Sequence, residues 1–328
     1  MEKTQKADTL PHAEKVLTSI RSGSDAARSM IVASWARSAK LHGLAPDAAS
    51  RGERWGATEL RDRRDRLSRM IHVSQPTLHN LRDTISFSGC GVFLCDAEGI
   101  VLEALTSAGD KADFDAVNLS PGGDWSEKME GTNGIGTCIA EGRSVSIHQD
   151  QHFRSDNISM SCLGAPIYNS DGSLLAVLDI SVWRADVEGP LAKLISQAVT
   201  DAAGQIEADH FCDQHAGARI LRGEGDNRRS PVLLAVNSDD LVVGATRAAR
   251  KHFGLPAREA FSPKPATDLL GGDGAGPKGF ERAEQSAMKR AIARADGNMS
   301  EAARQLGVSR ATFYRRATKL GLIQSDKS

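Results

Sequence analysis

The sequence predicts an α+β protein. It should hold a central antiparallel sheet flanked by helices, with helices before it, a short sheet-and-helix segment after it, and an all-α C-terminal end. Three observations carry this expectation. Strand–turn–strand patterns dominate residues 87–212. Apolar residues at helical spacing precede and follow that stretch. Residues 281–328 show short amphipathic helices separated by glycines.

The elements follow in order. Residues 1–86 read as helical: "IVASWARSAKLHGLAP" keeps Ile31, Trp35, Ala39 and Leu41 on one face, and Gly43 stands where a helix would stop. A second helical pattern runs through Leu67, Met70, Ile71, Leu78, Leu81 and Ile85, with Pro76 expected to kink or restart it. At Gly89 the period changes. "CGVFLCDAEGIVLEAL" is a hairpin turning at Gly99, "SVSIH" is another strand, and "CLGAPIYNSDGSLLAVLDISVW" repeats the hairpin with Asn169, Asp171 and Gly172 as its turn. Helical inserts are expected around 126–142. From Pro190 the period is helical again, and Leu191, Leu194, Ile195, Val199, Ala202 and Ile206 form a stripe suited to core packing or a dimer seam. Residues 230–262 read strand, Asp-rich turn, strand, helix. Residues 263–280 are Gly- and Pro-rich and read as a flexible linker to a last domain at 281–328.

Composition narrows the function classes. The 328 residues are 40% hydrophobic and 25% charged, with a formal net charge of −1, so no global field points to nucleic acid or membrane. The start lacks an apolar signal-peptide core. The most apolar stretch, "LLAVLDISVW", is about half of a membrane span and contains Asp179. The five scattered cysteines contain no Cys-x-x-Cys and read as reduced, mostly buried thiols. Together these features read as a cytoplasmic protein with no membrane partner.

Charge is concentrated at the C-terminal end, where residues 281–322 carry nine Lys/Arg and four Asp/Glu. Ala287, Met288, Ala291, Ile292 and Ala295 form a first helix. Ser300 is the expected N-cap of a second, with Ala302, Ala303 and Leu306 on its apolar face. Gly307 makes the turn, and Ser309 caps a third helix that buries Phe313, Ala317 and Leu320. A short helix, a glycine turn and a second short helix with a polar, basic start is a helix-turn-helix. Its candidate contacts to double-stranded DNA are Ser309, Arg310 and Thr312 at the start of the recognition helix, with Arg315, Arg316 and Lys319 further along. The run "GNMSEAARQLGVSRATFYRRATKLGL" resembles the Fis-type helix-turn-helix that ends many bacterial enhancer-binding regulators. That resemblance implies a dimer acting on two half-sites.

The loop "EGTNGIGTC" (Glu130 to Cys138) has the glycine density of a phosphate cradle. No lysine follows its last glycine, however, and it is not Gly-x-Gly-x-x-Gly opening a parallel βαβ unit, so neither nucleotide motif is met. It reads instead as a turn into a helix capped by Thr132 or Asn133. "SWARS…GLAP", "GCGVFLCDAEGIVLE", "EGTNGIGT" and "HF…MSCLGAPIYNSDGSLLAVLDIS", in that order, resemble the GAF-sensor half of the acetoin-catabolism-regulator family over residues 30–212. Residues 230–255 are similar to the start of a PAS domain, abbreviated here. The resemblance implies a GAF-like sensor that binds a small-molecule effector or drives homodimerisation. Members of the family usually place an AAA+ ATPase between sensor and DNA-binding end. Residues 212–279 are too few for one and contain no Walker motif. Action without ATP hydrolysis is therefore expected, by occupancy or by contact with RNA polymerase or another regulator.

A pocket in such a sensor should lie between the sheet and the helices carrying the glycine loop. Its candidate liners are Phe93, Cys95, Trp125, Ile135, His148, Phe153, Cys162 and Asp179. The alternative for each is ordinary core. His148 and His152 are four apart, so a helix would let them share a metal, with Cys162 as a further candidate ligand. The stretch follows a strand, though, and reads as a polar rim around Phe153. Cys138 and Cys162 lack the poised base and electropositive setting of a nucleophile. No cofactor, metal or catalytic residue is expected, and the protein reads as a regulator rather than an enzyme.

Overall fold

The computed structural model describes residues 5–21, 29–49, 52, 54–85, 89–183, 189–258, 262–270 and 280–323. The chain divides into two compact units, Met1–Ala266 and Thr267–Ser328. Half of the expected linker, residues 271–279, lies outside the described residues, while its start forms a short strand and a helix rather than an irregular linker.

The first unit opens with α1 (Gln5–Arg21) and α2 (Met30–Ala36), the latter running into a π-helical turn at Arg37–Leu41. There His42 N–H donates to the Arg37 carbonyl at 3.1 Å, across five residues. The extra residue rotates the helical face. Leu41, expected on the apolar side with Trp35, is 73% exposed for that reason, while Trp35 is buried. After α3 (Ala57–Arg66), α4 (Ser68–Thr84) runs through Pro76 without restarting.

Next come β1 (Cys90–Asp96), β2 (Val101–Thr106), α5 (Lys111–Ala116), α6 (Glu127–Glu130), α7 (Gly134–Glu141), β3 (Val145–His148), β4 (Ser161–Tyr168), β5 (Leu174–Val182) and α8 (Gly189–Gln214). The five strands form one antiparallel sheet in the order β2-β1-β5-β4-β3. Alternation along the strands divides the core. Val92, Leu94, Leu163, Ala165, Leu178 and Ile180 pack against α4 and α8, whereas Phe93, Cys95, Cys162 and Val177 face the α5 and α7 side. The α8 stripe splits accordingly: Ile195, Val199, Ala202 and Ile206 are buried, but Leu191 and Leu194 are exposed.

A second antiparallel sheet, ordered β6-β7-β8-β9, is built from β6 (Arg219–Arg222), β7 (Leu233–Val236), β8 (Leu241–Ala245) and β9 (Lys264–Pro265), with α9 (Arg247–His252) after β8. Strands β6 and β9 are absent from the sequence-based expectation; they are short edges with little apolar pattern, β6 half-exposed and β9 exposed. This sheet docks onto the first through Arg250. Its buried guanidinium donates to the carbonyls of Ser170 in the β4–β5 turn (2.7 and 3.0 Å) and of Pro256 (2.8 Å). The described chain continues through α10 (Ala266–Leu270).

The second unit holds α11 (Phe280–Arg294), α12 (Met299–Gln305) and α13 (Arg310–Lys319), closed over Met288, Ala291, Ala302, Ala303, Phe313, Ala317 and Leu320. The N-cap of α12 is Asn298 rather than the expected Ser300. Its Oδ1 accepts from the backbone N–H of Ser300 and Glu301 at 3.1 and 3.2 Å, a reach available to an Asx side chain placed one residue before the helix. Leu306, expected on the apolar face of α12, is 36% exposed. Among the described residues no helix is long and apolar enough to cross a membrane.

Candidate functional site

The turn at Gly307 and the Ser309 cap set the start of α13, where Ser309 Oγ accepts from Thr312 N–H at 3.2 Å. Burial of Phe313, Ala317 and Leu320 fixes which face of α13 looks inward. At 100° per residue the opposite face carries Ala311, Arg315 and Thr318, flanked by Tyr314 and Lys319. All six sequence-predicted contacts are accessible, Thr312 least so. Their electrostatic states differ, however. Arg315 has no ion-pair partner among the described residues, and Arg310 lies over the Tyr314 ring, 5.4 Å from its centroid. Arg316 is drawn back to Glu284 on α11 at 3.0 Å, and Lys319 to Glu281 at 2.7 Å. The arrangement therefore separates a leading set without ion pairs among the described residues (Ser309, Arg310, Thr312, Arg315) from a trailing pair held by acids. Tyr314 and Thr318 share the outward face but were missed from sequence; their offset from Phe313 and Ala317 was the available signal.

The glycine loop has a different environment. Asn133 caps α7: its Oδ1 accepts from Ile135 and Gly136 N–H, both at 2.8 Å, and its Nδ2 donates to the carbonyls of Gly131 (2.8 Å) and Trp125 (3.0 Å). Ser34 on α2 reaches into the same loop, donating to Glu127 and lying 2.7 Å from Thr132 Oγ1. Arg37 adds bonds to Glu127 at 2.9 and 3.0 Å and an ion pair with Glu141 at 3.0 Å. Every hydrogen-bonding group of the Asn133 side chain is thus engaged by protein, which leaves the cap no role as a phosphate cradle.

The space expected to hold a pocket is filled. Phe93, Cys95, Trp125, Ile135, Phe153, Cys162 and Asp179 are each at most 2% exposed. The cause is the close approach of α7 to the sheet. A Cβ on Gly134 would stand 2.4 Å from Asp179 Oδ1 and 2.6 Å from Cys162 Cβ, and one on Gly164 would stand 2.3 Å from the Gly134 carbonyl. Phe153 packs with Val16, Ile20 and Trp35, joining α1 and α2 to the loop. His148 alone of the eight is half-exposed, on a groove of about 450 Å³ that runs along α8 with Ser146, Lys193 and Gln197.

Beneath α7 runs a buried polar chain. His152 Nδ1 donates to the Gln149 carbonyl (3.0 Å), its Nε2 lies 3.3 Å from Cys162 Sγ, Cys162 Sγ lies 3.1 Å from Ser181 Oγ, and Ser181 donates to Asp179 Oδ2 (2.7 Å). Burial dominates its protonation: it pushes His152 down to about 4, the Cys162 thiol well up, and Asp179 up to about 7. A neutral imidazole beside an intact thiol, with no route to solvent, is packing rather than an activated nucleophile. Among the described residues no group of three or more His, Cys, Asp or Glu is placed to hold a metal.

A sensory sheet domain and a basic helix-turn-helix define a DNA-binding transcription regulator. The chain belongs to the family described as MimR, N-terminal domain, whose profile matches residues 6–208. Residues 279–320 match the profile described as bacterial regulatory protein, Fis family. The acetoin catabolism regulatory protein of Cupriavidus necator is 28% identical over 221 residues, covering 66% of this chain and 33% of that protein. The propane 2-monooxygenase operon transcriptional activator MimR of Mycolicibacterium smegmatis is 30% identical over 56% of this chain and 30% of its own length. The acetoin dehydrogenase operon transcriptional activator AcoR of Bacillus subtilis is 30% identical over 59% of this chain and 32% of its own length. The chain thus spans about a third of the length of these relatives. A chain in the crystal structure of the E. coli DhaR(N)–DhaL complex shares the fold, with a TM-score of 0.50 and 16% identity over 80% of this chain and 86% of that one. These matches bear out the regulator class, the GAF-like sheet and the Fis-type helix-turn-helix, and they identify the protein as a regulator rather than an enzyme.

Proposed function

We propose that the protein is a cytoplasmic, sequence-specific transcription regulator that binds double-stranded DNA as a homodimer, through α12 and α13, without hydrolysing ATP. The leading set of α13 carries the reading: a capped helix start with Arg310 and Arg315 accessible, positioned by a buried opposite face, meets the requirements of a recognition helix. The small β6–β9 sheet stands where the family resemblance leads one to expect an ATPase, which supports regulation by occupancy or contact. Genome-wide mapping of bound sites supplies the operator. Arg310→Ala and Arg315→Ala should then lower affinity for it in fluorescence anisotropy, and truncation at Gly279 should abolish binding. Retention of operator affinity by the truncated protein would refute the assignment.

A second reading concerns the GAF-like domain. Because the space under α7 is filled, that domain suits a protein contact, with RNA polymerase or another regulator, better than an effector held beneath the glycine loop. Purified RNA polymerase holoenzyme should bind the immobilised full chain in the absence of any metabolite. Its failure to do so would remove polymerase as that partner.

A further inference from the structure

Where the β6–β9 sheet docks, the first unit holds a partly open cavity of about 630 Å³, within the range of small-molecule sites. Its floor is the end of β4 and the middle of α8, and its roof is α9 and the turn after it. The lining is chemically lopsided. Arg143, Arg229, Arg247 and Lys251 all reach it, against a single acid, Glu207. Arg229 is engaged by Asp201 at 2.8 Å, and the carboxylate nearest Arg143 is Glu141 at 3.9 Å. Arg247 and Lys251 have no carboxylate at ion-pair distance among the described residues. Arg247 instead lies over the Tyr168 ring, 3.9 Å from its centroid, and also interacts with the Tyr168 side chain and with Glu207.

Glu207 does not offset those cations fully. It is buried, its Oε2 accepts from Tyr168 N–H at 3.0 Å, and burial pushes its carboxyl up to about 7. The remaining walls are mostly apolar, with Ala165, Pro166, Ala203 and Leu255 among them.

We propose that this cavity binds a small organic carboxylate, its anionic end meeting Arg247 and Lys251 and its carbon skeleton lying between Tyr168 and Leu255. Two cations at one edge with no carboxylate at ion-pair distance among the described residues, beside mostly apolar walls, fit an amphiphilic monoanion. Inorganic phosphate would leave the apolar wall uncovered, and an uncharged analogue would leave the cations unmet. Because β4 and α8 hold one side and α9 the other, the ligand would clamp the second sheet onto the first, reinforcing Arg250.

The test uses the full chain, with benzoate and hexanoate as probes and benzamide and inorganic phosphate as controls at matched ionic strength. Ligand-observed NMR should show both carboxylates binding, in competition with each other, and neither control displacing them. Lys251→Glu, a change at an exposed side chain, should weaken binding by about tenfold or more, and Arg247→Met by a similar factor. Circular dichroism melts establish that each variant is folded; should Arg247→Met unfold, Lys251→Glu decides alone. Absence of carboxylate binding, binding unchanged in folded Lys251→Glu, or equal binding of phosphate or benzamide would each overturn the proposal. Because the measurement reads the ligand alone, its outcome is separate from that of the DNA assignment.

Discussion

Arg315 and Arg316 are neighbours with the same side chain, and the structure assigns them different consequences. Arg315 stands on the solvent face of α13 with no carboxylate partner among the described residues. Arg316 is 51% exposed and paired with Glu284 at 3.0 Å. An arginine bidentate to guanine discriminates by about 1–3 kcal/mol, so Arg315→Ala in that role should weaken operator binding roughly 5- to 150-fold and relax specificity at one position. If it meets a phosphate instead, the salt slope should fall by about one unit. Arg316 must first give up a half-exposed ion pair worth up to about 1 kcal/mol, so Arg316→Ala should cost up to about fivefold less than Arg315→Ala. The sharper perturbation is Glu284→Gln. It removes the competitor, releases Arg316 towards DNA and should strengthen binding by up to about fivefold. Fluorescence anisotropy across a salt series measures all three variants. The reasoning fails if Arg316→Ala costs as much as Arg315→Ala, or if Glu284→Gln weakens binding.

Further outcomes follow from the first unit. Asn133→Ala deletes four buried hydrogen bonds, at about 1 kcal/mol each, and should lower the denaturant-measured stability by about 3–5 kcal/mol; a loss below about 1 kcal/mol would deny the cap its structural role. Asp179 carries its own pH dependence. Native Asp179 keeps its proton up to about 7, whereas the unfolded carboxyl releases it near ~4, so stability falls as pH rises through that window and stays lower above it. Asp179→Asn should therefore stabilise the protein at pH about 8, on the order of 4 kcal/mol, and flatten the profile measured by urea titration, leaving the similar slope from Glu207. Arg250→Met strands the Ser170 and Pro256 carbonyls, so amide exchange in β7 should accelerate while β1 and β5 stay protected; equal acceleration in all three strands would contradict local undocking.

Much of this was legible because it depends on local period and local caps. The two hairpins, the helical stripe of α8 and the helix-turn-helix each announce themselves within a dozen or so residues, through alternation, turn residues or Ser309. The π-helical turn was not legible: one inserted residue leaves composition unchanged and moves only the face, exposing Leu41. Strands β6 and β9 have almost no apolar pattern because both are edges. At the site, residue types on the recognition helix were readable, but their pairing states were not. Glu281 and Glu284 lie more than thirty residues from Arg316 and Lys319 in sequence, and only the packing of α11 brings them close.

The glycine loop shows why spacing alone misleads. A phosphate cradle needs glycines so that the backbone can wrap an anion, and the same residue type serves wherever backbone must touch protein. Gly134 is pressed onto Asp179 and Cys162, and a Cβ on Gly136 would stand 2.3 Å from the backbone nitrogen of Glu127. These neighbours come from distant strands and a preceding helix, so no window around "GTNGIGT" contains them. Ser34 on α2 and Arg37 at the start of the π-helical turn, which lock the loop, lie about ninety residues upstream, with Ser34 ninety-three from its partner Glu127. The two motifs "SWARS" and "EGTNGIGT" are halves of one contact. Beside that contact α7 lies close on the sheet, and the residues expected to line a pocket there are buried. The cavity described above, which combines size, cations and apolar walls, lies across the sheet body, where α9 meets β4 and α8.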